Sequence, residues 1–125
     1  MEKLKFINDQ MTTIGVPYEF MEWTSDVTYP YFVGEITEEP TMTEDGLEES
    51  TMLLTGFCRG KFIDLEEYKQ RIKNHFSPVC GLTGQTDSGS TIAVFFDGSF
   101  YVPTGESDLK KIQINLKIKL WKGAV

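Results

Sequence analysis

Lys111-Ile112-Gln113-Ile114-Asn115-Leu116-Lys117-Ile118-Lys119-Leu120 alternates polar and apolar side chains without interruption. Successive side chains of a strand point to opposite faces. Ile112, Ile114, Leu116, Ile118 and Leu120 therefore share one face, and Lys111, Gln113, Asn115, Lys117 and Lys119 share the other. A strand that is apolar on one side and basic on the other belongs in an antiparallel sheet with one buried face and one wet face. Such a sheet needs a cover for its apolar side, and the sequence supplies two helices.

Residues 2–14 place Leu4, Ile7, Met11 and Ile14 on one helical face. Gly15 and Pro17 then stop the helix. Residues 64–76 do the same with Leu65, Tyr68, Ile72 and Phe76. Asp64 reads as the N-cap of this second helix, with Glu67 three residues on as in a capping box. Glu66 and Glu67 come before Lys69, Arg71, Lys73 and His75, which suits the helix dipole, and Pro78 ends the run.

The remaining strands follow from β-forming runs between turn signals. Residues 18–23 are rich in aromatics, and Thr24-Ser25-Asp26 is loop-like. Residues 29–36 form a second strand, with Pro30 at its start, where a missing N–H is tolerated. Residues 38–49 read as a long acidic loop or hairpin tip, and Ser50 to Cys58 resumes strand character. Residues 81–90 read as a flexible linker. Thr91–Phe96 and Ser99–Val102 around Asp97-Gly98 read as a two-residue hairpin, and 103–108 turn again. The expected fold is α+β: a mostly antiparallel sheet with two helices packed on one face, in the order α-β-β-β-α-β-β-β. It forms a single domain over residues 1–125.

Composition supports one core. The chain has 125 residues, 40% of them apolar and 13% aromatic, enough to bury a core without a disulfide framework. No apolar run approaches the ~18 residues of a membrane span. The N-terminus lacks the apolar stretch and cleavage site of a signal peptide, so the cytoplasm of the producing cell is the expected compartment. Cys58 and Cys80 both sit among apolar neighbours and read as buried thiols. The net charge of −7 argues against nucleic acid as the main partner. Its distribution is uneven. Residues 38–49 carry Glu38, Glu39, Glu44, Asp45, Glu48 and Glu49 with no base, whereas residues 110–122 carry Lys110, Lys111, Lys117, Lys119 and Lys122 with no acid.

No catalytic or metal-binding constellation emerges, so no enzyme activity and no cofactor are expected. Thr86-Asp87-Ser88-Gly89-Ser90 faintly resembles a serine nucleophile region, but His75 is the one histidine and the flanking residues do not fit a protease. Cys58, His75 and Cys80 lack the close ligand pairing of a zinc site, and His75 reads as a cation near a helix C-terminus. Gly81-Leu82-Thr83-Gly84 has no phosphate-loop lysine. The acids of 38–49 lack the spacing of a calcium loop. Phe20, Trp23, Tyr29, Tyr31 and Phe32 would suit a small-ligand pocket or, more simply, a core. The acidic and basic segments admit two readings: ordinary solvated faces, or docking surfaces that register one copy head to tail against the next.

The opening helix, Gly15-Val16-Pro17 before an aromatic strand, and Tyr29-Pro30-Tyr31-Phe32-Val33-Gly34-Glu35 make a recognisable series. The long hairpin through 38–49, the helix at Asp64-Leu65-Glu66 and the alternating strand ending at Trp121 continue it. In these features the chain resembles the small tail-terminator, tail-completion and head–tail joining (neck) proteins of long-tailed bacteriophages and prophages. The resemblance implies a non-enzymatic virion protein, assembled in the bacterial cytoplasm. It would form a ring of identical subunits, six by analogy, at the tail end or neck. Its partners would be itself and other tail or neck proteins, with no specific nucleic-acid binding and no membrane. The hairpin bearing Glu38 to Glu49 would reach a neighbour, and an acidic lining would suit passage of DNA. A reading from another class is a small acidic binding or inhibitory module, of anti-host or immunity type, acting by protein–protein contact.

Overall fold

The structure, a computed structural model, describes residues 2–21, 29–39, 47–86 and 89–121. Helix α1 (Glu2–Thr13) is followed by strands β1 (Tyr18–Phe20), β2 (Tyr31–Glu39) and β3 (Leu47–Arg59). Helix α2 (Phe62–His75) and strands β4 (Leu82–Gln85), β5 (Thr91–Val102) and β6 (Leu109–Trp121) complete the chain. The strands form one six-stranded sheet in the order β1-β2-β3-β6-β5-β4. Every pairing is antiparallel except that of β1 with β2. The fold is α+β, as the periodicity of the sequence implies. None of the described helices is long and apolar enough to cross a membrane.

Both helices lie on one face because β2, β3, β6 and the first half of β5 turn their even-numbered side chains toward them. Register puts Phe32 beside Gly56, Gly56 beside Ile112, Met52 beside Leu116 and Val94 beside Ile118. These residues form one buried cluster with Ile7 and Met11 of α1 and with Leu65, Ile72 and Phe76 of α2. The helical stripes read from the sequence are the buried faces, with Leu4, Ile14 and Tyr68 packed partly exposed at their margins. The alternation of 111–120 is likewise realised, with Ile112, Ile114, Leu116, Ile118 and Leu120 in the core.

Several local expectations are corrected. Residues 81–90 are not a linker, since Leu82–Gln85 pair with Thr91–Val94 as an edge strand. The glycines there serve close packing: a Cβ on Gly84 would lie 2.8 Å from the Phe6 ring, and one on Gly81 would lie 2.7 Å from the Phe95 ring. Between β4 and β5, Gly89 N–H donates to the Thr86 carbonyl and Thr86 N–H to the Ser90 carbonyl, while Asp87 and Ser88 lie outside the described residues.

Asp97-Gly98 is not a hairpin turn either. Phe96 pairs with Leu116 and Ser99 with Ile114. Two β5 residues thus stand against one β6 residue, which is a β-bulge, with Gly98 at φ +116°. The helix expected from Asp64 starts two residues earlier. Lys61 occupies the N-cap without a side-chain hydrogen bond, and Asp64 sits in the first turn, where it accepts from the Cys58 thiol at 3.6 Å. Cys58 is buried, but Cys80 is exposed.

Candidate interaction surface

The acidic and basic segments, far apart in sequence, are neighbours in space. β3 pairs with β6 along its whole length, so Glu49 lies opposite Lys119 and Glu48 opposite Leu120. Glu49 projects from the face away from the helices and makes ion pairs with Lys117 at 3.8 Å and Lys119 at 4.0 Å. Glu38 lies on the helix side, where it pairs with Lys3 at 3.4 Å. Lys3 is 3% exposed, and its ammonium also donates to the Ser50 hydroxyl at 2.9 Å. This contact pins the first turn of α1 to the β2–β3 hairpin. Glu38 and Glu39 belong to β2, and Glu48 and Glu49 to β3, so these four are strand residues rather than loop residues. Glu39 ends β2 opposite Glu49. Glu44, Asp45 and Lys122 lie outside the described residues. Part of the charge complementarity assigned to subunit contacts is thus satisfied within one chain.

Helices cover one face of the sheet, and no described element covers the other. The open face shows Tyr31, Phe57, Lys111 and Val102 in one row, and Val33, Thr55, Gln113 and Phe100 in the next. Nearer the other end lie Thr37, Thr51, Lys117 and Phe95. Tyr31 stacks on Phe57 with ring centres 5.2 Å apart. Lys111 lies over Phe57 at 5.7 Å, and Lys119 over Phe95 at 5.9 Å. Lysine stems laid along aromatic rings leave these side chains half-buried. Because Glu35 and Glu49 share this face with Lys111, Lys117 and Lys119, it carries both signs of charge. A uniformly acidic lining does not describe it.

A second cluster marks the end of the sheet where β5 turns into β6. Phe62 of α2 meets Tyr101 edge to face at 4.8 Å, and Lys110 lies over the Phe62 ring at 5.0 Å. The Tyr101 phenol donates to Glu66, which also accepts from Lys69 at 2.7 Å. The Lys69 ammonium, with help from Tyr101, holds the Glu66 carboxyl below its ordinary range. Burial, with Glu66 adding to it, pushes the Tyr101 phenol up. These groups stabilise one another's resting protonation states.

The residues considered for chemistry do not converge. Phe32 is fully buried in the core, while Tyr31 points from the opposite face. They line no common pocket, and Trp23 lies outside the described residues. His75 accepts or donates a hydrogen bond with Gln10 at 2.7 Å, bridging the two helices, and its partial burial lowers its pKa. It stands at the C-terminal end of α2, as expected, and also serves as a contact between the two helices. Among the described residues, no group of three or more His, Cys, Asp or Glu is placed to hold a metal. Of the serine motif, Thr86 and Ser90 both donate to the Glu2 carboxylate, at 2.9 and 3.1 Å, which ties the β4–β5 loop to the start of α1.

The feature that sequence reading missed is the shape of the sheet's edges. Both outer strands are short. β1 covers only Phe32–Gly34 of β2, and β4 covers only Thr91–Val94 of β5. No local signal announces this, because it depends on where distant strands stop. No protein-family model matches the chain, and no characterised protein matches it in sequence.

Proposed function

We propose that this chain is a structural subunit of a tailed phage or prophage, a tail-terminator, tail-completion or head–tail joining component that works by being built into a ring. One observation carries the reading: a whole sheet face, set with half-buried aromatics and lysines, has no cover among the described residues. Surfaces of this kind are more typical of interfaces than of isolated monomers. Against the small-ligand reading, Phe32 and Tyr31 lie on opposite faces of the sheet, and no described cluster offers a nucleophile with its base.

Light scattering across protein concentration, with electron microscopy of the heaviest species, tests the proposal. A closed ring, formed alone or on addition of a tail-tube or neck partner, is the expected result. A monomer that no tail or neck component recruits overturns it and favours the acidic binding module. Because Glu49 is already paired with Lys117 and Lys119, assembly should depend less on salt than the charged segments alone suggest.

A further inference from the structure

Among the described residues, β2 and β5 each leave half of an edge unpaired, and the two free halves are complementary. On one side of the sheet β1 covers Phe32–Gly34, and Met21 N–H adds a bond to the Gly34 carbonyl at 2.8 Å. Beyond it, residues 35–39 pair with β3 and with no other described strand. On the other side β4 covers Thr91–Val94, and Phe96 N–H donates to the Phe76 carbonyl at 2.9 Å. Beyond it, residues 97–102 have β6 on one side and no described strand on the other. The bulge at Asp97-Gly98 marks the boundary between the covered and free halves of β5. The free half carries two large aromatics that a monomer leaves in water, Phe100 at 50% and Tyr101 at 38% exposure.

We propose that residues 35–39 of one copy pair antiparallel with residues 97–102 of the next, continuing the sheet from subunit to subunit. The proposal rests on the reading of the chain as an assembling subunit and names the partner as a second copy. Three geometric facts support it. The free stretches are nearly equal in length. They also run in opposite directions, because β2, β3, β6 and β5 alternate, so copies set side by side in the same orientation present them antiparallel. Finally, the short strands β1 and β4 end where the free stretches begin and act as stops that fix the register.

The same geometry sets the form of the assembly. Val33 and Phe100 share a row across one chain, so seating Thr37 against a neighbour's Phe100 shifts each copy four residues along the strand, ~14 Å. One repeat spans the four strands β2, β3, β6 and β5, ~19 Å in width at the usual strand spacing. A shift of that size over that width tilts the strands ~35° from the assembly axis, the tilt at which closed barrels are built. The step at the edges therefore suits a ring and needs no helical rise.

Cross-linking tests this in a Cys80→Ser background, which removes the exposed thiol. Thr37→Cys and Phe100→Cys are made separately, and Thr55→Cys on the central strand β3 is the control. With a short bis-maleimide, a mixture of the Thr37→Cys and Phe100→Cys proteins should give a covalent heterodimer. Neither alone should dimerise, and the double variant should give a ladder. Circular dichroism and an unchanged melting temperature establish that each variant is folded.

The proposal is overturned if the folded mixture gives no heterodimer, or if one single variant links to itself, which would mean a two-fold contact of like edges. Blunted, inert edges give the first of these results. If light scattering shows a ring that these positions fail to link, the edge pairing falls and the functional reading survives. If the ladder grows into open polymers without a closed species, the pairing stands and the ring role falls.

Discussion

Gly56→Ala should destabilise this protein, although Gly→Ala at a site without positive φ ordinarily stabilises. Gly56 lies in β3 between Phe32 of β2 and Ile112 of β6. A Cβ there would fall inside the van der Waals surface of Phe32 Cε2 and within 2.8 Å of its Cδ2 and Cζ. The Phe32 ring is fully buried and held edge-on by Tyr68 at 5.9 Å, so it has nowhere to swing. Fewer unfolded conformations favour the alanine by about 0.4–1 kcal/mol. Overpacking a filled core costs about 1–3 kcal/mol. The net loss should be ~1–2 kcal/mol, or roughly 4–8 °C in Tm for a chain of this size. Urea denaturation with an unchanged m-value measures it directly. Phe32→Leu alone should cost about 1–3 kcal/mol by opening a cavity, yet it makes room for the new methyl group. The double variant should therefore lose less than the two singles combined, with a coupling on the order of 1 kcal/mol. A Gly56→Ala protein as stable as the parent, or strict additivity in the cycle, would refute the packing argument.

Three further outcomes follow from other contacts. Lys3→Met should cost about 1–3 kcal/mol by leaving the buried Ser50 hydroxyl without its partner, and adding Ser50→Ala should recover much of the loss in the same denaturation assay. Burial pushes the Tyr18 phenol up to about 12 from its ordinary value of 10.0. A raised folded-state pKa means that this stabilisation is fully present below about pH 10 and is lost as pH rises through about 12. The phenolate that appears near pH 12 in an alkaline absorbance titration should accordingly vanish in Tyr18→Phe. Finally, a thiol reagent should modify Cys80 rapidly and Cys58 only on unfolding. Cys58 is 1% exposed, and burial together with Asp64 pushes its thiol up. Two fast thiols per folded chain would contradict the core assignment.

Much of this protein was legible from its residues alone. The alternation of 111–120 determined a half-buried strand, and the spacing of Ile7, Met11, Leu65, Ile72 and Phe76 determined two helices with one apolar face each. Facing is a local property, set by the periods of the backbone itself. Pairing is not local, and there the tertiary structure decided. Asp97-Gly98 carries a hairpin signal, yet β6 runs unbroken beside both flanks of it, so the dipeptide becomes a bulge. The glycine-rich stretch after Pro78 looks like a linker, yet its glycines admit the Phe6 and Phe95 rings and let Leu82–Gln85 pair as an edge strand. Glu49 and Lys119 are seventy positions apart in the chain and directly opposite in the sheet, which gives the acidic and basic segments a contact within the chain. The free halves of β2 and β5 were beyond the reach of sequence for the same reason. Backbone hydrogen bonds pair any residues that the fold brings alongside, so where a sheet ends depends on which distant segments arrive there.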